Sequence, residues 1–370
     1  MAYLAKKLEP TLPPPLMSIG VSGWLRHNLF SSPFNTLLSL VMLYVIYNIL
    51  SAGFRWGILD AVWTGTSAKD CPNTEAACWA FISARFNQII YGGYPLVEQW
   101  RVDIFYAPSA AGVFALLMPK FPAKSWIGLF MLTGFPVIAV ILLVGGLFGL
   151  PVVGTNNWGG LLITLVVSAT TIAVSIPVGL LLALGRRSRM PAIRIICTAF
   201  IEFWRGVPLI AVLFMASALF PLFTPEGVSF DKLLRALLAF SLSASGYMAE
   251  VFRGGLQAVP KGQFEAARSV GIGYWKMMGY VILPQALRNI IPALMNTCIS
   301  IFKETSLVLV IGLSDLLEVI HEGREATNWL GGSNMYTSGY VFAAFAYWLF
   351  TFSASRYSVH LEHGPARPGG

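Results

Sequence analysis

Residues 259–284 decide the reading: Val259-Pro260-Lys261-Gly262-Gln263-Phe264-Glu265-Ala266-Ala267-Arg268-Ser269-Val270-Gly271, then Ile272-Gly273-Tyr274-Trp275-Lys276-Met277-Met278-Gly279-Tyr280-Val281-Ile282-Leu283-Pro284. Pro260 suits a first helical turn, where its missing N–H would be unpaired anyway. Lys261 to Val270 holds good helix formers, and Gly271 and Gly273 stop that helix and allow a sharp turn. Trp275, Met278 and Val281 then recur at helical spacing until Pro284, which should break the second helix. The stretch predicts a short helix pair whose small residues let another protein approach closely.

On both sides the chain becomes strongly apolar. Of 370 residues 56% are hydrophobic and 11% charged, against about a quarter charged in soluble domains. Mean hydropathy is +0.68. Runs near the ~20 residues needed to cross a hydrocarbon core recur, and a helical bundle satisfies the backbone there. The expected fold is therefore all-α, a polytopic membrane protein. Eight spans are predicted, at 34–52, 104–119, 127–148, 160–184, 193–222, 232–252, 286–312 and 338–356, the second of them short.

The net charge of +8 is distributed as short basic runs between spans, which is the pattern of cytoplasmic loops rather than of a nucleic-acid surface. Lys6, Lys7, Arg26, Lys120, Lys124, Arg186, Arg187, Arg189, Arg253, Lys261, Arg268, Lys276 and Arg288 all fall on one side if the N-terminus is cytoplasmic. Both termini and the 253–285 loop then lie inside, and the 53–103 loop outside. That outer loop carries Cys71 and Cys78, either a disulfide in an oxidising periplasm or two free thiols in a packed cap. The polar, proline-rich first 33 residues do not read as a cleavable signal.

With the topology in place, the opening stretch becomes specific. Glu265-Ala266-Ala267, Gly271 four positions on, and Val281-Ile282-Leu283-Pro284 resemble the coupling loop of ABC importer permeases, with Val281 where the pattern has Ile. The resemblance implies that Gly262, Glu265, Ala266, Ala267, Gly271, Leu283 and Pro284 form a surface docking in a cytoplasmic ATPase. Three further segments are similar to the polar amino-acid uptake branch: Glu202-Phe203-Trp204-Arg205-Gly206-Val207-Pro208-Leu209, Glu250-Val251-Phe252-Arg253-Gly254, and Lys303-Glu304-Thr305-Ser306-Leu307. The longer N-terminal part is similar to the branch that handles a broad range of L-amino acids.

The family implies a type I importer permease in the bacterial inner membrane. A core at 151–356 would follow a cytoplasmic segment (1–33) and three additional spans (34–150), and precede a cytoplasmic tail (357–370). It would work with an ABC ATPase dimer, a second and related permease chain, and a periplasmic amino-acid-binding protein, in contact with membrane lipid. The chain has no Gly-x4-Gly-Lys-Ser/Thr loop, so ATP and Mg are expected on the partner ATPase, with no cofactor, metal site or catalytic constellation on this chain.

Charges inside a membrane need a role or a partner. Glu202 with Arg205, and Glu250 with Arg253, each lie three apart and read as ion pairs at span ends, or as gating charges. Lys303 and Glu304, with Thr305 and Ser306, read as a packing site or as groups lining the substrate path, where Glu304 would suit an α-ammonium and Lys303 an α-carboxylate. Ser243, Ser245 and Asn296 are further path candidates, the serines also being natural packing residues. An ion-gradient-driven transporter is the alternative and predicts inverted repeats with broken helices. A scaffold or sensor subunit predicts no substrate-stimulated ATP turnover.

Overall fold

A computed structural model describes residues 20–72, 75–118, 121–223, 225, 230–330 and 333–362. Lys6, Lys7, Lys120 and most of both terminal segments lie outside them. The described chain is helical, with only the isolated bridges Val62–Cys78 and Gly160–Asp315. The helices are α1 (Gly20–Asn28), α2 (Pro33–Phe54), α3 (Trp79–Tyr91), α4 (Gln99–Leu117), α5 (Lys124–Val144), α6 (Gly160–Arg186) and α7 (Pro191–Gly206). There follow α8 (Leu209–Phe214), α9 (Lys232–Ala258), α10 (Lys261–Ser269), α11 (Tyr274–Lys276), α12 (Leu283–Glu304), α13 (Leu316–Glu325) and α14 (Ser333–Glu362).

Each predicted span falls on helical residues, that at 193–222 on two helices, but the count of eight is not reached by length and composition. Among the described residues four segments are long and apolar enough: Pro33–Leu59, Lys124–Val144, Gly160–Arg186 and Tyr274–Ile311. A fifth is reached if Pro191–Gly206 and Leu209–Phe223 make one span. Helices α4, α9 and α14 are more polar; α9 alone carries Lys232, Arg235, Glu250 and Arg253.

Two expectations about helix continuity change. The 193–222 span is not a single rod: its halves meet at 99°. Pro208 disfavours α-helical geometry at the residue before it, and Val207 is extended, with φ −92° and ψ 129°. Conversely, Pro284 does not end its helix. A π-helical stretch, Met277–Ile282, leads directly into α12, where Pro284 occupies the first turn. The wider turns re-satisfy backbone groups that an α-helix would leave orphaned at proline, so Tyr274–Ile311 is continuous over 38 residues.

The core packs α6, α9 and α12 together through small residues. A Cβ at Gly179 would stand 2.6 Å from the Met248 Cβ, and one at Gly255 would stand 2.2 Å from the Ile290 Cγ2. In a bilayer, where lipid is as apolar as leucine, such close backbone approach is what holds helices together. The preceding region joins the core by polar anchors: the Tyr357 hydroxyl donates to the Leu116 carbonyl at 2.7 Å, and Arg101 Nη1 donates to the Pro151 carbonyl at 2.9 Å. Helix α2 differs from every other long helix, having no buried residue.

At the end of the bundle remote from α10, residues 61–72 and 75–91 form a cap over α13 and α14. Cys71 and Cys78 are joined by a disulfide, with Cα atoms 5.9 Å apart. Both are buried against Ile320, Trp329 and Met335. The Ser338 hydroxyl accepts from the Cys78 N–H at 2.8 Å, and Phe81 meets Trp329 edge to face at 5.4 Å.

Candidate functional site

Helix α10 sits on the bundle by one face only. Ala267 is buried and Phe264 half-buried in a cluster with Leu256, Met277, Met278 and Ile282. Its opposite face presents Gly262, Glu265 and Ala266 to the surroundings. The helix ends in a Schellman arrangement: the Ile272 N–H donates to the Ala267 carbonyl and the Gly271 N–H to that of Arg268, both at 3.0 Å. Gly271 takes φ +73°, which a residue without Cβ adopts at no steric cost.

The chain then leaves with an apolar strip exposed. Trp275 is 77% accessible and Tyr280 83%, and nothing lies within 4 Å of a Cβ built at Gly262, Gly273 or Gly279. The expected second amphipathic face is therefore redrawn: Met277, Met278 and Ile282 point inward while Trp275 points out. Leu283 is half-buried and Pro284 exposed.

Behind this surface lies a charge network in which one of the two expected pairs is present and the other is exchanged. Glu250 accepts from Arg253 within α9 (Nη2 to Oε2, 2.6 Å), as expected, but also from Arg186 of α6 (Nη1 to Oε1, 2.7 Å). Arg205 does not pair with Glu202; it faces Glu250 at 3.9 Å, while Glu202 takes Arg186 Nη2 at 2.9 Å. Arg186 thus bridges carboxylates on α7 and α9, and three guanidiniums converge on Glu250. Next to it, Arg187 Nη1 donates to the Leu256 carbonyl at 3.3 Å and its guanidinium lies 5.5 Å from the Phe264 ring. Gln285 donates to Gln263 at 3.3 Å, tying α12 to α10. Arg186 was visible only as one of a basic cluster, because its acceptors lie 16 and 64 residues away.

The structure separates the substrate-path candidates into a buried set, an exposed set and the half-buried Ser306. Ser243, Ser245 and Thr305 are buried inside this chain's own packing. Ser245 donates to the Ser241 carbonyl at 2.6 Å, and Thr305 to that of Phe302 at 2.8 Å. Asn296, Lys303 and Glu304 are exposed, and with Asn289, Ala293 and Ser300 they line one face of α12. Ser306 is half-buried and donates to the Lys303 carbonyl at 3.2 Å. Neither Lys303 nor Glu304 joins an ion pair among the described residues.

The described residues form an apolar helical body of membrane type, with one amphipathic helix seated by one face and exposed on the other. The chain belongs to the family of binding-protein-dependent transport system inner membrane components, whose model matches residues 175–366. It is 48% identical over 339 residues to an Escherichia coli (strain K12) inner membrane amino-acid ABC transporter permease protein, YhdY, covering 92% of this chain and 91% of that one. It is 35% identical to the Rhodobacter capsulatus glutamate/glutamine/aspartate/asparagine transport system permease protein BztC, covering 98% and 97%. A probable amino-acid ABC transporter permease of Bacillus subtilis, YckA, is 34% identical over 201 residues, covering 54% of this chain but 84% of its own. The chain is thus a multi-pass inner membrane ABC permease subunit, and nothing in these relatives supports the gradient-driven alternative.

Proposed function

We propose that this permease carries L-amino acids inward, and that α10 is where a partner ATPase drives it. One observation carries the reading: α10 is seated by Phe264 and Ala267 yet turns Gly262, Glu265 and Ala266 outward, beside exposed Trp275 and Tyr280. The amino-acid substrate class is supported by the relatives' names. In this reading the α10 end is cytoplasmic with both termini, ATP and Mg are held by an ATPase dimer, and a periplasmic binding protein delivers substrate near the cap.

The exposed polar face of α12 supports a path shared with a second permease. Asn296, Ser300, Lys303 and Glu304 would face lipid in a lone chain, at about 2.5–3.5 kcal/mol for each central charge on insertion scales. Facing a second permease across a wet path removes that cost. Relatives such as YckA match only about half of this chain, which supports reading 151–356 as the transport core and 34–150 as an addition. An addition carried by one of two related permeases suits a heterodimer.

The test is affinity purification from native membranes, wild type beside Glu265→Lys, with mass spectrometry of the bound proteins. Recovery of an ABC ATPase with wild type and its loss in the variant support the reading, and a copurifying second permease supports the heterodimer. An ATPase retained equally by both removes α10 from the coupling role; none with either removes the ATP-driven reading.

A further inference from the structure

At the elbow between α7 and α8 the bundle holds an apolar cavity of about 440 Å³, walled by Trp204, Val212, Phe220, Leu238, Ala239 and Leu242 among others. It opens sideways at the surface, where Phe220 and Leu238 are exposed. The volume is about three times that of an engineered apolar cavity that takes benzene. A single charged side chain, Arg235, reaches its wall.

Arg235 is incompletely satisfied. Its Nη1 donates to the carbonyls of Ala216 (3.2 Å) and Ser217 (2.6 Å), in the π-helical turns Met215–Leu219. Its Nε is buried with no acceptor, and no carboxylate pairs with it among the described residues. A cation in the first turn of α9, beside an apolar cavity and with only two carbonyl partners among the described residues, calls for an anion. Because Nη1 is engaged, the Nε–Nη2 edge remains, the side of a guanidinium that can hold two oxygens of one anionic group.

The lining selects the ligand. A zwitterionic amino acid would bring an ammonium, and no lining side chain among the described residues is an acceptor: apart from Arg235 they are all aliphatic, aromatic or Met. An anionic head on a long apolar tail meets both requirements. We propose that the cavity holds an acyl chain of an anionic phospholipid whose phosphate is taken by Arg235. This site does not depend on what the permease transports, and its test needs no transport assay.

The experiment reconstitutes the full chain, purified in its native assembly, into nanodiscs containing phosphatidylglycerol or phosphatidylcholine, each with a photoactivatable acyl chain. Wild type is compared with Arg235→Gln, Arg235→Lys and the cavity-filling Ala239→Phe. Labelling of Phe220 or Leu238 is expected to favour phosphatidylglycerol about fivefold, as one basic residue near a membrane surface provides. Arg235→Gln should abolish the preference, Arg235→Lys retain most of it, and Ala239→Phe remove the labelling. Size-exclusion profiles matching wild type would establish that each variant is folded; one that fails is replaced by Leu238→Trp for filling or Arg235→Met for charge. Equal labelling by both lipids, a preference unchanged in Arg235→Gln, or displacement of the lipid by millimolar L-amino acids would each overturn the proposal. So would crosslinks at this cavity from a second permease chain in place of lipid.

Discussion

The two ends of this bundle are secured by different chemistry. At the cap, Cys71 and Cys78 are covalently joined and buried, with Phe81, Trp329 and Met335 around them. At the α10 end the helix ends are tied by charge, with Arg186 shared between Glu202 and Glu250, and large apolar side chains are left uncovered. Disulfide and apolar burial fix one arrangement. Guanidinium–carboxylate contacts can be exchanged among Arg186, Arg205 and Arg253 while Glu250 stays neutralised. The cap is held in one arrangement; the α10 end has charge contacts with more than one way to pair.

The contrast is tested most severely at Glu250. Replacing it with Gln leaves three guanidiniums without their common acceptor, and should lower stability by about 1–3 kcal/mol, between the exposed-pair and buried-pair limits. The thermal midpoint of the purified chain measures this, and hydrogen exchange should rise at α6, α7 and α9 near the loop while the cap keeps its protection. If protection falls at the cap instead, the two ends are not independent.

The converse variant is Cys71→Ser with Cys78→Ser. A crosslink closing so short a loop is worth about 2 kcal/mol on chain-entropy arguments, so the cap amides should exchange faster and α10 should not change. A smaller effect is expected at Glu202→Gln, whose carboxylate is 56% exposed and has one partner; double-mutant cycles on exposed pairs give up to about 1 kcal/mol. A loss as large as that of Glu250 would mean Arg186 is anchored mainly through α7.

The smallest effect concerns acid. Asp70 accepts from the N–H groups of Thr66 (2.8 Å) and Ser67 (3.0 Å), which hold its carboxyl below the usual carboxylate range. A depressed value in the fold stabilises at every pH above the unfolded-state value and is lost as pH falls through the folded one. The 65–71 turn should therefore be indifferent to pH from neutral down to the ordinary carboxylate range and loosen only below it, with Asp70→Asn flattening that response, as read by hydrogen exchange or tryptophan fluorescence.

What the sequence made legible follows the range of each interaction. The α10 helix, its stop at Gly271 and the positions of the long helices depend on neighbours a turn or two away, and 259–284 displayed them. The elbow was equally local: Gly206-Val207-Pro208 carries the signal, but the apolar run on either side invited a single span. Pro284 misled in the opposite direction, since a break and a π-helical bypass begin from the same missing N–H. Arg186 joining Glu202 and Glu250 needed three helices to be placed first. Helix α2 shows the remaining limit, because an apolar composition does not distinguish a span packed by its own chain from one without a buried residue.

The unbroken run from Tyr274 to Ile311 has a mechanical consequence. At 1.5 Å per residue it is a rod of roughly 55 Å, one end beside α10 and the other beyond Lys303 and Glu304. A pivot of about 5° near one end would sweep the other through about 5 Å, comparable to the size of an amino-acid backbone. The π-helical turns Met277–Ile282 lie at the end nearest α10, so a small displacement there would be a larger one at the far end of the rod.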